Sequence, residues 1–191
     1  MFQSFEVTSR PEQGPPRLAE LRVEFIREGL DGFLIPRADA HQGEYVSARD
    51  ERLAWLTGFT GSAGFGAALI NSAGVFIDGR YRTQVKSQVA SDYTPVPWAE
   101  VSLADWLVEQ LPSGGEVGFD PWLHTVAQIE QTRAALTGTG VTLIPCDNLV
   151  DRIWVDQPAP ASATVRAHPM ECAGESHKDK RTRLAADLKK S

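Results

Sequence analysis

From residue 17 to residue 155, apolar runs of strand length alternate with segments whose apolar residues recur at helical spacing, and two of the runs adjoin with no helix between them. Runs of four to eight residues suit strands, and a 3.6-residue recurrence suits helices. A chain that alternates the two buries its strands in a sheet and lays its helices on the faces. The adjoining pair reads as a hairpin, which makes one pairing antiparallel. The expected fold is α/β, a three-layer sandwich with a mixed, mostly parallel sheet.

The first helix is expected from Arg17, with Leu18, Leu21, Phe25 and Ile26 at helical spacing and Gly29 as its stop. Pro11, Gly14, Pro15 and Pro16 form its lead-in, since proline is favoured where a helix starts. Residues 32–36 read as a buried strand. Residues 41–56 read as a helix with Tyr45, Ala48, Leu53 and Leu56 inward. Glycine-rich residues 58–66 read as loop. Residues 67–71 and 75–78 form the hairpin, turned at Ser72 to Gly74, and a helix follows over 81–89. Pro95 and Pro97 each remove a backbone donor, so residues 93–98 suit an edge strand. Ser102 caps a helix that runs to Leu111, with Leu103, Trp106, Leu107 and Leu111 on one face. A strand over 116–120, a helix over 125–136, a strand over 141–145 and a short helix over 149–155 complete the pattern.

The character of the chain changes after Asp156. Gln157 to Ala163 contains only proline and small residues after the glutamine, so 157–175 reads as a linker beyond a first domain of 1–156. Residues 176–191 read as an amphipathic helix with Leu184 and Leu188 one turn apart. A lone helix of that length is marginal in water, so it reads as the start of a truncated second domain.

Charge and composition narrow the function classes. The net charge of -6 repels phosphate backbones, so no nucleic acid is expected as a partner. No apolar run approaches the ~20 residues that cross a membrane, so no membrane partner is expected. The opening Met1 to Val7 has neither a basic stretch nor an apolar one, which argues against a secretory signal. Cys146 and Cys172 lack metal-ligand spacing and are too few for a disulfide framework, which points to a reduced, cytoplasmic setting.

Several local features invite chemistry. Gly61, Gly64 and Gly66 mimic a nucleotide loop, but their order is not G-x-G-x-x-G and they lead into a strand instead of a helix. They read instead as sites of positive φ and close packing. Asp31, Asp78 and Asp120 stand at strand ends, where a converging set would hold a divalent cation and isolated ones form turns and caps. His41, His124, His168 and His177 show no metal-site spacing, and no G-x-S-x-G elbow is present. Asp78-Gly79-Arg80-Tyr81 ends a strand and opens a helix. There Asp78 suits backbone N–H groups, and Arg80 suits either Asp78 or a ligand carboxylate. The five tryptophans are mostly core residues, and any left exposed mark an interface.

Three stretches occur in order: Asp39-Ala-His41-Gln-Gly-Glu44-Tyr45, then Arg49 to Gly64, then Asp78-Gly79-Arg80-Tyr81. Together they resemble the N-terminal, creatinase/prolidase-like domain of Xaa-Pro aminopeptidases (aminopeptidase P). The likeness is strongest over residues 17–90 and extends toward 156. Ala173-Gly174-Glu-Ser176-His-Lys-Asp-Lys180 resembles the opening of the second domain in three-domain members. The resemblance implies a parent enzyme that hydrolyses the bond between an N-terminal residue and a following proline with two divalent metal ions, often manganese. The family's metal ligands lie in a C-terminal domain that nothing here matches, so no metal ligand, no catalytic residue and no cofactor is assigned to this chain. The implied role is accessory: limiting which peptides enter and adding subunit contacts. Arg80, Tyr81, His41 and Tyr45 are the expected surface facing that missing catalytic domain. Peptides with proline second and a homo-oligomer are the implied partners. A stand-alone peptide-binding or oligomerisation module and a metal-dependent nuclease are the competing readings.

Overall fold

In the computed structural model, which describes residues 9–190, strands β1 (Gly32–Pro36), β2 (Gly64–Leu69), β3 (Ala73–Ile77), β4 (Thr94–Pro97), β5 (Gly115–Phe119) and β6 (Val141–Pro145) join in one sheet. Their order is β4-β3-β2-β1-β5-β6. The pairs β1/β2 and β2/β3 are antiparallel, while β3/β4, β1/β5 and β5/β6 are parallel. The sheet is mixed and mostly parallel, with two antiparallel pairings where the sequence pattern indicated one. The two prolines of β4 are tolerated because β4 is an edge strand.

Six helices cover the sheet: α1 (Gly14–Arg27), α2 (Arg52–Thr57), α3 (Gln84–Gln88), α4 (Leu103–Gln110), α5 (Val126–Ala135) and α6 (Leu149–Ile153). Side chains alternate across a strand, so β1 sends Phe33 and Ile35 to one face and Leu34 to the other. The first face receives Leu18, Leu21 and Phe25 of α1, Leu53 and Leu56 of α2, and Leu149 and Val150 of α6. The second receives Trp106 and Leu107 of α4 and Ile129 of α5. Gly29 closes α1 with φ 75°, where the N–H of Leu30 reaches back to the Phe25 carbonyl at 2.8 Å.

Several expectations need correction. Residues 41–56 are not one helix: a single turn over Ala48–Asp50 precedes α2, Tyr45 is 86% exposed and Ala48 is exposed too. The Asp39 carboxylate accepts the N–H groups of His41 (2.8 Å) and Gly43 (3.0 Å), and Gln42 sits at φ 55°. An aspartate that captures nearby backbone donors competes with helix formation. The helix expected over 81–89 is divided as well, into a turn over Gly79–Tyr81 and α3. The hairpin turns at residues 70–72, earlier than expected, and β2 already begins at Gly64.

Positive φ belongs to Gly58 (85°), not to Gly61, Gly64 or Gly66. A Cβ at Gly58 would lie 2.3 Å from the Gln88 carbonyl oxygen. Close packing does explain two of the others, because a Cβ on Gly61 or Gly64 would lie 2.3 or 2.7 Å from the Phe59 ring.

The chain divides into a unit ending at Ala159 and another from Pro160 onward. The second unit holds α7 (Met170–Ala173), which the sequence pattern did not indicate, and α8 (His177–Leu188). The Ser176 hydroxyl caps α8 by accepting the Asp179 N–H at 3.1 Å. Neither helix buries a residue.

Candidate functional site

The carboxyl ends of β1, β3 and β5 bring several of the expected residues to one edge of the sheet. After β3, Asp78 accepts the Arg80 backbone N–H at 2.8 Å and the Arg80 guanidinium at 2.9 Å through Nε. The Arg80 side chain holds the Asp78 carboxyl below its usual range. Arg80 therefore forms the internal pair, while its side chain remains 69% exposed. Tyr81 packs edge-on against Phe59. Its hydroxyl shares a 2.6 Å hydrogen bond with the Ser62 hydroxyl and accepts the Ser62 N–H at 3.1 Å.

Ser62 links this corner to β1. Arg37, just past β1, donates to the Ser62 carbonyl at 3.2 Å and to the Glu44 carbonyl at 3.1 Å. The loop over residues 39–45 is thus tied to the Tyr81 corner through Arg37. His41 and Tyr45 lie exposed on that loop. The four expected residues share an edge, joined through Ser62 and Arg37.

The loop after β5 joins the same edge. The Gln42 side chain donates to the Leu123 carbonyl at 3.1 Å. Asp120 caps the loop by accepting the Trp122 N–H at 2.8 Å, and it also accepts the Asn148 side chain at 3.0 Å. His124 donates through Nδ1 to the Asp120 carbonyl at 2.9 Å and meets the Phe119 ring edge-on. Burial pushes the imidazole below its ordinary range. Trp122 is 76% exposed, so it does not join the core.

Between α4 and α5, beside this edge, a cleft of about 540 Å³ opens on the sheet. Its floor is Leu34, Pro36 and Phe65, and Phe65 is stacked between Phe76 and Trp98. Ala104 and Ile129 line the walls, and Arg37, Gln42, Ser62 and His124 stand among the lining. Such a volume lies in the range of small-ligand sites. The sequence did not reveal this cleft. Its lining comes from β1, the start of β2, and two helices separated in the chain by a strand, each recognisable only as its own element. The one local sign was Pro97-Trp98, where an aromatic follows a proline-bearing edge strand.

The aspartates do not form a common site. Asp31 precedes β1 and accepts the Glu116 N–H at 2.8 Å, whereas Asp78 and Asp120 follow strands running the same way. Asp31 therefore lies at the opposite edge. Among the described residues, no group of three or more His, Cys, Asp or Glu side chains converges as a cation cage. The described residues do not fit a two-metal centre.

The profile of the Creatinase/Prolidase N-terminal domain matches residues 17–153. A probable Xaa-Pro aminopeptidase P of Coccidioides posadasii is 36% identical over 191 residues, covering 97% of this chain and 29% of that protein. Human Xaa-Pro aminopeptidase 2 is 37% identical over 145 residues, covering 75% of this chain and 22% of that protein. Among solved structures, the X-prolyl aminopeptidase of Caenorhabditis elegans, described as a cytosolic enzyme with a di-nuclear active site, superposes with a TM-score of 0.80 at 31% identity. It covers 93% of this chain and 31% of that one. The N-terminal domain of cytoplasmic peptidase PepQ from Mycobacterium tuberculosis H37Rv gives 0.57 at 27% identity, covering 72% of this chain and 98% of that one. The chain thus spans about 22–31% of the length of the aminopeptidase relatives named above.

Proposed function

Because the chain belongs to the Creatinase/Prolidase N-terminal domain family, we propose that it is the non-catalytic N-terminal domain of a metal-dependent Xaa-Pro aminopeptidase. The parent enzyme would hydrolyse the bond between an N-terminal residue and a following proline. One observation carries the reading: the likeness to an Xaa-Pro aminopeptidase P runs along nearly the whole chain yet accounts for 29% of that relative. The larger remainder is where the two metal ions, manganese in this proposal, would bind. The donor set of the described residues suits no such centre, so hydrolysis is assigned to that remainder.

The accessory role rests on position. Arg80, Tyr81, His41 and Tyr45 occupy one edge at the carboxyl ends of the strands, the end at which open α/β sheets bind their ligands. That edge would face the catalytic domain, restrict which peptides enter and add subunit contacts in a homo-oligomer. A cytoplasmic location accords with the cytosolic description of the Caenorhabditis elegans enzyme. No helix among the described residues is long and apolar enough to cross a membrane.

Two measurements test the proposal. The purified 191-residue chain should leave Xaa-Pro peptides intact with manganese supplied, and robust turnover would refute the assignment. In the parent enzyme, Arg80→Ala should lower kcat/KM roughly tenfold with the melting temperature unchanged. Unaltered kinetics and stability would remove Arg80 from the edge's functional residues.

A further inference from the structure

The lining of the cleft between α4 and α5 carries little charge. The sequence carries 25 acidic residues and a net charge of -6, yet among the described residues no Asp, Glu or Lys lines the cleft. Among the described residues its one full charge is Arg37, whose guanidinium also lies 3.7 Å from the Glu51 carboxylate outside the lining, and its one histidine, His124, is held toward the neutral form by burial. The amino ends of α4 and α5 border it through Ser102 and His124, adding partial positive charge. Inside, Leu34, Phe65 and Ile129 offer apolar area, with Trp98 at the side as an aromatic platform. A ligand matching these features has an apolar body and a single carboxylate.

Position narrows the class. Ser62 lines the cleft and also holds the Tyr81 hydroxyl, and Arg37 lines it while fixing the loop that carries His41 and Tyr45. The cleft therefore adjoins the edge assigned to the mouth of the catalytic site.

We propose that this cleft binds the downstream part of a peptide substrate, an apolar side chain followed by the terminal carboxylate. This rests on the aminopeptidase reading. A volume of about 540 Å³ admits a few residues and excludes a folded chain. The interaction selects peptides by their residues beyond the cleaved bond, while the cleavage itself stays in the catalytic domain.

Gln128 gives the sharpest test. It lines the cleft, and its side chain accepts the Thr125 N–H at 2.8 Å in a capping box. Glutamate serves equally in a capping box, so Gln128→Glu keeps α5 intact while placing a carboxylate in the lining. The 191-residue chain, labelled with ¹⁵N, is titrated with N-acetyl-Ala-Leu-Phe as the free acid and as the amide. The acid should shift the Trp98 indole resonance and the amides of β1 and α5, with saturation. The amide, and the acid on Gln128→Glu, should each bind at least about fivefold more weakly. An absence of shifts at these residues overturns the proposal, and so does binding indifferent to both changes.

In the parent enzyme, Gln128→Glu should raise KM for Ala-Pro-Leu-Phe and leave the dipeptide Ala-Pro unaffected. An active parent with no such split defeats the cleft assignment alone. A parent that cleaves no Xaa-Pro bond defeats the aminopeptidase reading, whatever the isolated chain binds.

Discussion

On one face of the sheet, Leu18, Leu21 and Phe25 of α1 have no exposed surface, and Trp55 stacks on Trp154 with ring centroids 5.0 Å apart. On the other face, α4 and α5 bury Trp106, Leu107 and Ile129 but leave about 540 Å³ open beside them. The two faces draw on one set of strands with strict alternation of side chains, so the difference arises in the helices. α1 offers fourteen residues with an apolar stripe, and α6 and α2 flank it. α5 buries only Ile129 within its span. A helix that commits one side chain to the core leaves room beside it. The first face supplies stability, and the second keeps a concave surface that a ligand is able to fill.

Truncation should expose this asymmetry most strongly. Phe25→Ala empties a fully enclosed position and should cost about 3–5 kcal/mol in a denaturant titration. Ile129→Ala removes a side chain that already borders the cleft, so its cost should fall at or below about 2 kcal/mol, the low end for such a change. Equal costs would mean that both faces are packed alike.

The next effect concerns what clamps the first face. Arg52, 6% exposed, joins α2 to α6 through two bonds to Asp151, at 2.6 and 2.9 Å, and it also donates to Asp50 at 3.0 Å. Burial draws the guanidinium down, but the bonds and charges of Asp151 and Asp50 more than offset it and leave it raised. Gln157 also donates to Asp151, at 2.7 Å, so the clamp reaches the end of the unit. Arg52→Leu should destabilise by about 2 kcal/mol. That is less than the ~3–5 kcal/mol for breaking a fully buried pair, because Asp151 keeps 29% of its side chain in water. A loss under about 0.5 kcal/mol, the level of ordinary surface changes, would show that the apolar contacts alone close this face.

Much of this architecture was readable in advance, and the reasons are local. β1 and β6 have the expected bounds because Phe33, Leu34 and Ile35, or Val141 and Leu143, form runs ended by Pro36 and Pro145. Ser102 caps α4 as expected, and Thr125, read as the first residue of a helix, is the cap of α5. The reading failed where a polar side chain took over backbone bonding, as Asp39 does ahead of α2. Arg80 and Tyr81 were legible from their motif, but the link from Tyr81 through Ser62 and Arg37 to the 39–45 loop was not, since it joins residues 19 and 25 positions apart. The cleft was hidden for the same reason. A concavity is a property of how α4 and α5 sit on the sheet, and no periodicity along one segment encodes it.

The smallest expected effect tests the chemistry of the open face by pH. Burial lowers the His124 imidazole, and its bond to the Asp120 carbonyl only partly opposes that. Above the ordinary histidine value of about 6.5, the ring is neutral in both folded and unfolded chains and has no effect on the balance. As pH falls through that value, the unfolded chain takes up a proton that the folded chain refuses, so unfolding gains. The loss continues until pH passes the lowered folded value, where it levels off. Lowering the pH from about 7.5 to about 5.5, a window that brackets the ordinary histidine value, should therefore reduce the melting temperature of the unaltered chain slightly more than that of His124→Gln. Asp120, whose carboxylate is engaged with Trp122 and Asn148, is present in both proteins and cancels in the comparison. Equal slopes would show that the ring is as well solvated folded as unfolded, which contradicts a dry wall between Phe119 and the cleft.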